Sequence, residues 1–232
     1  MIPIVILVGG KATRLFPITK TIPKSLIPIN ETPFISYQLD LLYKRGITDV
    51  VLCVGKFGNM IENYVGDGSF WGLRVKYSYE DENSLLGTGG AIKNALHLLP
   101  DEFMITWGDS YLDINYEEVI SKFYSENKSL LMTIYKNNNI GDKSNILYKN
   151  GKIIRYSKQK PTKNMMYIDY GVLVATKNIF QYRQDKFDLS EIVIDRITKN
   201  NISSLEVFTQ FYEIGSQKGI EDFTKKQLSL YI

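Results

Sequence analysis

The stretch from residue 2 to residue 26 limits the possible folds of this chain more than any other. An apolar run over residues 4–8 is followed at once by Gly9 and Gly10. Such an unbroken run is typical of a strand buried on both faces. Glycines at its end leave backbone N–H groups bare at the sheet edge, where an anion can bind them. Arg14 and Lys24 add two cations, so the stretch predicts a triphosphate cradle.

The composition excludes several classes of protein. Of 232 residues, 44% are hydrophobic and 23% are charged, and the formal net charge is +3. This is ordinary for a globular protein, and the small charge excess argues against a dedicated nucleic-acid or membrane-surface protein. No apolar run approaches the roughly 18 residues that a membrane span needs. We therefore expect a cytoplasmic protein that binds neither nucleic acid nor membranes.

Cysteine and histidine offer little chemistry. The single cysteine, Cys53, lies within an apolar run, so we expect a buried thiol with a packing role. A lone cysteine cannot form an internal disulfide, and no Cys–His spacing suits a metal. The only histidine, His97, is expected on a helix surface and outside any catalytic role.

Strand and helix patterns alternate through the first half of the chain. The predicted elements are strand 4–8, helix 34–45, strand 49–54, helix 59–65, strand 73–79, helix 92–99 and strand 103–106. This alternation predicts a mostly parallel sheet with helices on both faces. Ligands bind beyond the carboxyl ends of such strands, where Gly9 and Asp109 both fall.

The second half contains a hairpin signal, Asn150-Gly151, between predicted strands 146–149 and 152–156. The remaining predictions are strands 130–135, 167–175, 205–208 and 211–214 and helices 189–199 and 218–230. Without linkers or repeats, the pattern predicts a single α/β domain over residues 1–232. About 1–128 would form the nucleotide-binding half and about 129–232 the acceptor side of a cleft.

Two carboxylates are candidate metal ligands. Asp109 follows a strand and a glycine, and with a polyphosphate nearby such a carboxylate favours Mg²⁺. Glu213 is a charge within an apolar strand and is the candidate second ligand. Helix capping for Asp109 and a surface position for Glu213 are the structural alternatives.

Two further segments are candidate substrate contacts. Leu86, Gly87, Thr88 and Gly89 open a predicted helix without bulky side chains, which suits close approach of a base and ribose. An ordinary loop is the alternative. Lys158, at the end of the hairpin, could hold the phosphate of a second substrate, and Lys160 competes for that role. A solvated lysine is the structural alternative.

These segments resemble the sugar-phosphate nucleotidyltransferases, also called nucleotide-sugar pyrophosphorylases. The residues that carry the resemblance are Gly9-Gly10, Thr13-Arg14-Leu15, Pro23-Lys24, Gly87-Thr88-Gly89-Gly90-Ala91, Gly108-Asp109 and Glu213-Ile214-Gly215-Ser216. They span nearly the whole chain. They look most like cytidylyl- and guanylyltransferases, such as heptose 1-phosphate guanylyltransferases and capsule-pathway cytidylyltransferases.

The resemblance implies a Rossmann-like α/β fold and a Mg²⁺-dependent reaction. An acceptor phosphate oxygen would attack the α-phosphorus of a nucleoside triphosphate, and pyrophosphate would leave. Positioning and charge neutralisation suffice for this chemistry. Arg14 would neutralise the β- and γ-phosphates and Lys24 the α-phosphate, while Asp109 and Glu213 would bind Mg²⁺.

The resemblance also assigns the substrate contacts and allows a homo-oligomer. The nucleotide would be held by Val8, Gly9, Gly10, Lys11, Thr13, Leu86, Gly87, Thr88 and Gly89, and the small phosphorylated acceptor by Lys158, Asp169, Gly171 and Ser110.

The departures from the family concern the loop, the metal ligands and the acceptor. Ala12 stands where the family favours Gly, and Glu213 where it usually has Asp. Ser157 replaces a common Glu, and Asp169 a common Asn or small residue.

We expect a sugar 1-phosphate acceptor first, with an amino-sugar phosphate or a non-sugar such as phosphoglutamine as alternatives. CTP or GTP is favoured as the nucleotide.

Two rival functions fit the sequence less well. A dinucleotide-dependent oxidoreductase needs a Gly-x-Gly-x-x-Gly turn and an acidic residue after the second strand. The chain instead has Gly-Gly-Lys-Ala-Thr-Arg and, after the second strand, Gly55-Lys56. A non-catalytic scaffold or sensor would not need Arg14, Lys24 and a carboxylate pair.

Overall fold

The computed structural model describes residues 1–10, 12–81, 84–140 and 142–229. Strands alternate with helices along the chain. The strands are β1 (Ile4–Leu7), β2 (Pro28–Ile29), β3 (Thr32–Pro33), β4 (Asp49–Val54), β5 (Arg74–Tyr79), β6 (Glu102–Trp107), β7 (Ser110–Tyr111), β8 (Leu130–Lys136), β9 (Ile146–Lys149), β10 (Lys152–Tyr156), β11 (Tyr167–Thr176), β12 (Ile202–Val207) and β13 (Tyr212–Glu213). The α-helices are α1 (Phe34–Lys44), α2 (Gly58–Val65), α3 (Gly87–Ala95), α4 (Tyr116–Glu126), α5 (Asn178–Gln181), α6 (Leu189–Thr198) and α7 (Gln217–Leu228).

The chain divides into two compact units, each built from separate segments. Unit 1 comprises Met1–Leu85, Thr106–Asp113 and Gln210–Ile232, and unit 2 comprises Leu86–Ile105 and Ile114–Thr209. These boundaries differ from the expected division at about residue 128. The nucleotide-binding and acceptor-binding roles expected of the two halves stay predictions.

Unit 1 is organised on a parallel sheet in the order β1-β4-β5. β1 and β4 are apolar and almost wholly buried, as expected when both faces of a parallel strand are covered. β5 alternates instead, burying Val75 and Ser78 while Arg74 and Lys76 stay exposed. Helices and short antiparallel strand pairs complete this unit.

An apolar cluster in unit 1 surrounds Phe223 of α7. The Phe223 side chain is fully buried. Its ring centroid lies 5.1 Å from that of Phe34 and 5.0 Å from that of Tyr111. Ile29, Leu41 and Ile214 are the other buried members. This burial fixes the C-terminal helix, and β13, just before that helix, pairs antiparallel with β7.

Unit 2 contains a mixed sheet in which antiparallel pairs dominate. β11 pairs with both β8 and β9, β10 pairs with β9, and β12 runs parallel to β8. The predicted hairpin is confirmed, since Asn150 and Gly151 both have positive φ (49° and 75°), as a type I′ turn requires.

β11 is interrupted where it pairs with β8. The register shifts between Asp169 and Leu173, and Gly171 has a φ of 111°, a conformation that glycine adopts without a steric cost. Fully buried Thr133 fills the interruption: its Oγ1 donates to the carbonyl of Val172 at 2.7 Å and accepts the Val172 N–H at 3.1 Å. A bulge of this kind bends the strand and redirects nearby side chains.

The predicted α/β fold class, with a mixed sheet flanked by helices, is confirmed. Some boundaries differ. β1 ends at Leu7 rather than Val8, and the helix predicted over 92–99 begins at Gly87 and ends at Ala95. β12 begins at Ile202, because Ser203 and Ser204 pair with β8 although they break the apolar pattern.

No helix among the described residues combines the length and apolar character needed to cross a membrane.

Helix α4 was not predicted, although its sequence carries a start signal. Asn115 is the N-cap, and its side chain accepts the backbone N–H of Glu118. Glu117 and Glu118 place two carboxylates in the first turn, where they favour the positive end of the helix dipole.

The expected packing role of Cys53 is confirmed. The thiol is buried, and burial together with the nearby charge of Glu80 raises its pKa to about 12. The thiolate, which is the reactive form, is therefore suppressed at neutral pH.

We predict that Thr133→Val lowers the free energy of unfolding by about 2 kcal/mol, because two buried backbone groups of Val172 lose their partner. Ser203→Ala is the matched control: among the described residues, the buried Ser203 hydroxyl has no hydrogen-bond partner, so its removal should not destabilise the protein. Urea denaturation measures both variants. Equal losses would show that the Thr133 hydroxyl does not support the bulge.

Candidate active site

The loop after β1 contains two glycines in different surroundings. The Val8 N–H donates to the Cys53 carbonyl at 3.0 Å and keeps the chain beside β4. A Cβ on Gly9 would lie 3.2 Å from the backbone nitrogen of Gly55, closer than ordinary contact. A Cβ on Gly10 would meet nothing within 4 Å. Packing thus explains Gly9, whereas Gly10 has open space in front of its backbone.

Ala12 occupies the left-handed region, with φ 47° and ψ 38°. Glycine, which the family favours at this position, adopts this conformation without a steric cost, whereas alanine adopts it with its methyl group in place. The Ala12 carbonyl accepts the Leu15 N–H at 3.1 Å and the Thr19 hydroxyl at 2.8 Å, which hold the turn in this conformation. The preceding residue, Lys11, lies outside the described residues.

Arg14 is presented by the short 3-10 turn Thr13–Leu15, in which Leu15 is buried and Arg14 is exposed. None of the ion pairs found within the described ranges involves Arg14. The guanidinium is therefore placed where an incoming anion can reach it.

Four predicted nucleotide contacts, Val8, Gly9, Gly10 and Thr13, line one cavity of about 440 Å³ in unit 1. This volume falls within the range of small-molecule sites. Lys20 and Lys56 also line it, each above an aromatic ring: Nζ lies 5.7 Å from the Phe16 centroid and 5.2 Å from the Phe57 centroid, respectively. Neither lysine was predicted. Lys56 follows a strand and a glycine, as the opening loop does, and that signal could have identified it.

Lys24 and Asp109 form an ion pair, with Nζ and Oδ2 2.7 Å apart. Their side chains are 24% and 28% exposed, so the pair is partly shielded from water. Lys24 lies in the 3-10 turn Lys24–Leu26, and Asp109 lies in the turn between β6 and β7. The structure thus brings together two residues that the sequence proposed separately.

Gln38, on α1, braces the turn that carries Asp109. Its Nε2 donates to the carbonyls of Trp107 and Ser110, both at 2.8 Å. Gln38 is buried on the apolar side of α1. It was not predicted, although a polar residue within a buried helical stripe was the available signal.

Glu213 lies beside this pair. β13 places Glu213 opposite Ser110, and the Ile214 N–H donates to the Asp109 carbonyl at 2.9 Å. The Glu213 carboxylate accepts the Gly215 N–H at 2.6 Å and the Ser216 hydroxyl at 3.1 Å. A side chain at position 215 would collide with that carboxylate and lie 3.5 Å from Lys24 Nζ. Gly215 therefore leaves room for both charges.

The donor set of Asp109 and Glu213 suits Mg²⁺. The ion prefers oxygen ligands and commonly takes one or two carboxylates, with phosphate oxygens and waters completing its shell. In the described part of the chain, no group of three or more His, Cys, Asp or Glu residues could hold a metal by itself. One carboxylate in the β6–β7 turn and one on β13 fit a metal whose remaining ligands come from a nucleotide and water.

Ser110 was predicted as an acceptor contact. It is buried, and its hydroxyl donates to Asp109 Oδ1 across a long 3.4 Å. It belongs to unit 1, whereas Lys158, Asp169 and Gly171 belong to unit 2. Its acceptor role stays a prediction.

The glycine-rich start of α3 is explained by packing within unit 2. The N–H groups of Gly89 and Gly90 both donate to the Phe187 carbonyl, at 3.1 and 3.2 Å, and the Phe187 N–H donates to the Leu86 carbonyl. A Cβ on Gly87 would lie 2.6 Å from the same Phe187 carbonyl. These N–H groups are already bonded, so the predicted base contact has a structural alternative and stays a prediction.

Thr88, from the same segment, bonds to the start of α6. Its hydroxyl donates to Asp188 Oδ2 at 3.0 Å and accepts the Leu189 N–H at 2.8 Å. Burial alone would raise the pKa of Asp188, but bonds from Ser190 and Thr88 and the charge of Lys158 hold it below its usual value.

The predicted acceptor residues Lys158, Asp169 and Gly171 lie together in unit 2. Asp169 Oδ1 accepts the Gly171 N–H at 3.1 Å. Burial raises the pKa of Asp169, while the charge of Lys158, the Gly171 N–H and the nearby Tyr156 hydroxyl oppose the rise. His97, by contrast, is exposed on its 3-10 turn, as expected.

We predict that Gly89→Ala destabilises the protein by about 1–3 kcal/mol, because its Cβ would collide with the Phe187 ring. Gly10→Ala is the matched control, and it should leave the unfolding free energy nearly unchanged since its Cβ meets open space. Thermal and urea unfolding measure both. A neutral Gly89→Ala would mean that packing does not explain this glycine.

The model of the nucleotidyl transferase family matches residues 4–213. The chain is 32% identical over 213 residues to the D-glycero-alpha-D-manno-heptose 1-phosphate guanylyltransferase of Campylobacter jejuni subsp. jejuni, covering 91% of this chain and 93% of that protein. It is 30% identical over 195 residues to the enzyme of the same name from Aneurinibacillus thermoaerophilus, covering 83% of each.

A solved structure shares the fold. HddC from Yersinia pseudotuberculosis, complexed with GMP-PN, superposes with a TM-score of 0.82 over 98% of this chain and 100% of that one, at 24% sequence identity.

Proposed function

Because the chain belongs to the nucleotidyl transferase family, we propose that it joins a nucleoside triphosphate to a sugar 1-phosphate, making a nucleotide sugar and releasing pyrophosphate. The predicted family and enzyme class are confirmed. The observation that carries the proposed reaction is the Lys24–Asp109 pair beside Glu213 in unit 1.

The reaction needs charge neutralisation and positioning rather than a covalent intermediate. An acceptor phosphate oxygen attacks the α-phosphorus, and the bond to the departing pyrophosphate breaks. Exposed Arg14 would neutralise the β- and γ-phosphates, and Lys24 would exchange its contact with Asp109 for the α-phosphate. Mg²⁺, when bound by Asp109 and Glu213, would supply further neutralisation of the phosphate oxygens.

GTP is the first choice of nucleotide. Both relatives described above carry the name guanylyltransferase, and the structural neighbour was solved with GMP-PN. CTP, which the sequence favoured equally, is the second nucleotide to test.

Heptose 1-phosphate is the first acceptor to test, because the same two relatives are named for it. The Asp169 carboxylate supports a second candidate, a phosphorylated acceptor that carries an ammonium group, such as phosphoglutamine. A carboxylate can accept hydrogen bonds from sugar hydroxyls or pair with an ammonium.

Other aspects of the proposal rest on the sequence alone. Cytoplasmic location, a role in capsule or other surface polysaccharide synthesis and a homo-oligomeric state remain predictions. None of them is needed for the proposed chemistry.

The proposal is tested by pyrophosphate release from GTP, CTP, UTP and dTTP, each with a panel of phosphorylated acceptors and Mg²⁺. We expect release to depend on both substrates and to be fastest with GTP and a sugar 1-phosphate. A folded protein that releases pyrophosphate with no pair would instead favour a non-catalytic nucleotide-binding domain.

With the nucleotide and acceptor that support pyrophosphate release, Arg14→Gln should lower kcat/KM by about 100-fold or more. This is the loss expected when a group that stabilises transition-state charge is removed. Arg155→Gln, an exposed arginine on β10, is the charge-matched control. Steady-state kinetics measures both. Near-normal turnover by Arg14→Gln would remove Arg14 from the mechanism.

A further inference from the structure

We infer that unit 2 carries a separate nucleotide site, in which cations at the end of α6 bind the phosphate and Tyr182 stacks on the base. The site is a cavity of about 640 Å³, a volume within the range of small-molecule sites. The charged residues that line it are Arg183, Asp195, Arg196 and Lys199. None of its lining residues was among the predicted site residues, so the inference does not depend on the proposed function.

Three cations converge on one carboxylate in this cavity. Asp195 Oδ2 lies 3.0 Å from Arg183 Nη2, and Asp195 Oδ1 lies 3.0 Å from Lys199 Nζ. Arg196 bonds to Oδ2 through both Nε and Nη2. The negative end of the α6 dipole, near Arg196 and Lys199, offsets roughly another half charge. The described lining therefore keeps a net charge of about +1.5, and this excess favours an anion.

The side-chain acceptors in this lining are engaged, whereas donors are left over. Asp195 uses both oxygens for the three cations. Asn178 Oδ1 accepts the Thr176 hydroxyl at 2.6 Å. Asn201 Oδ1 accepts the Ser129 N–H at 3.0 Å. Each guanidinium has five N–H donors, more than one shared carboxylate can accept. The missing partner is thus a group with several acceptor oxygens, and a phosphate meets this need.

Tyr182 supplies a stacking surface in the same cavity. Its side chain is 94% exposed, and it directly precedes Arg183 in the chain. Ile179 adds an apolar contact to the lining. Nucleotide bases stack on aromatic side chains irrespective of sequence, because every base has a π-face. Cations beside an exposed ring therefore match a nucleotide better than inorganic phosphate or a phosphorylated sugar.

The experiment follows the Nε–H signals of Arg183 and Arg196 by ¹H–¹⁵N NMR on the full chain in EDTA. GMP, ribose 5-phosphate and inorganic phosphate are titrated separately at constant ionic strength. GMP should shift both signals saturably and bind at least about tenfold more tightly than ribose 5-phosphate, which lacks the base. Equal affinities for GMP and ribose 5-phosphate would overturn the assignment of a nucleotide. The absence of a saturable shift with all three probes would overturn the site.

Variants at exposed positions assign the two contacts. Lys199→Gln should weaken GMP binding about tenfold, because a charged hydrogen bond to the phosphate is lost. Lys44→Gln is the matched control and should leave the affinity unchanged, since Lys44 pairs with Asp40 in the same i,i+4 geometry but in unit 1. Tyr182→Ala should reduce the affinity for GMP to that for ribose 5-phosphate. GMP binding that survives in both Lys199→Gln and Tyr182→Ala would contradict the inference.

Arg14→Gln separates this site from the candidate active site, because it removes a predicted phosphate contact of unit 1. The shifts of Arg183 and Arg196 on GMP addition should be unchanged in this variant. Their loss in Arg14→Gln would show that the signals report binding in unit 1, and would overturn the second site. The proposed reaction is judged separately, by pyrophosphate release.

Discussion

The ion pair between Lys24 and Asp109 is the interaction on which the candidate active site depends. Its partners are 85 positions apart in the chain and meet at 2.7 Å. Partly shielded ion pairs add little net stability, because desolvation offsets much of the attraction. The proposed function gives the pair a role: Lys24 would contact the α-phosphate, and Asp109 with Glu213 would bind the metal ion.

Several features of unit 1 keep this pair in place. Gln38 bonds to the backbone on both sides of Asp109, and the Ile214 N–H bonds to the carbonyl of Asp109 itself. Burial of Phe223 fixes α7 and so supports β13, which carries Glu213. Gly215 lies where a side chain would collide with the Glu213 carboxylate. The site thus combines backbone hydrogen bonds, an apolar cluster and one residue without a Cβ.

The sequence revealed those features that depend on local patterns. The apolar runs of β1 and β4 and the Asn150-Gly151 turn fold as their periodicity and turn chemistry predict. Gln38 was missed, because its role depends on backbone partners that only the folded chain brings near. The two glycine-rich segments show the same limit. Gly10 faces open space and Gly89 faces Phe187, yet both follow the same sequence signal.

The central claim, that Asp109 and Glu213 hold a metal-bound nucleotide, is tested most directly by isothermal titration with a non-hydrolysable GTP analogue in Mg²⁺ and in EDTA. Wild type should bind at least about tenfold more tightly with Mg²⁺, a difference of about 1.4 kcal/mol. Asp109→Asn should bind equally under both conditions, while the control Asp113→Asn, whose partner is Arg45, should behave as wild type. Binding by wild type that does not depend on Mg²⁺, or Mg²⁺ dependence that survives in Asp109→Asn, would contradict the account.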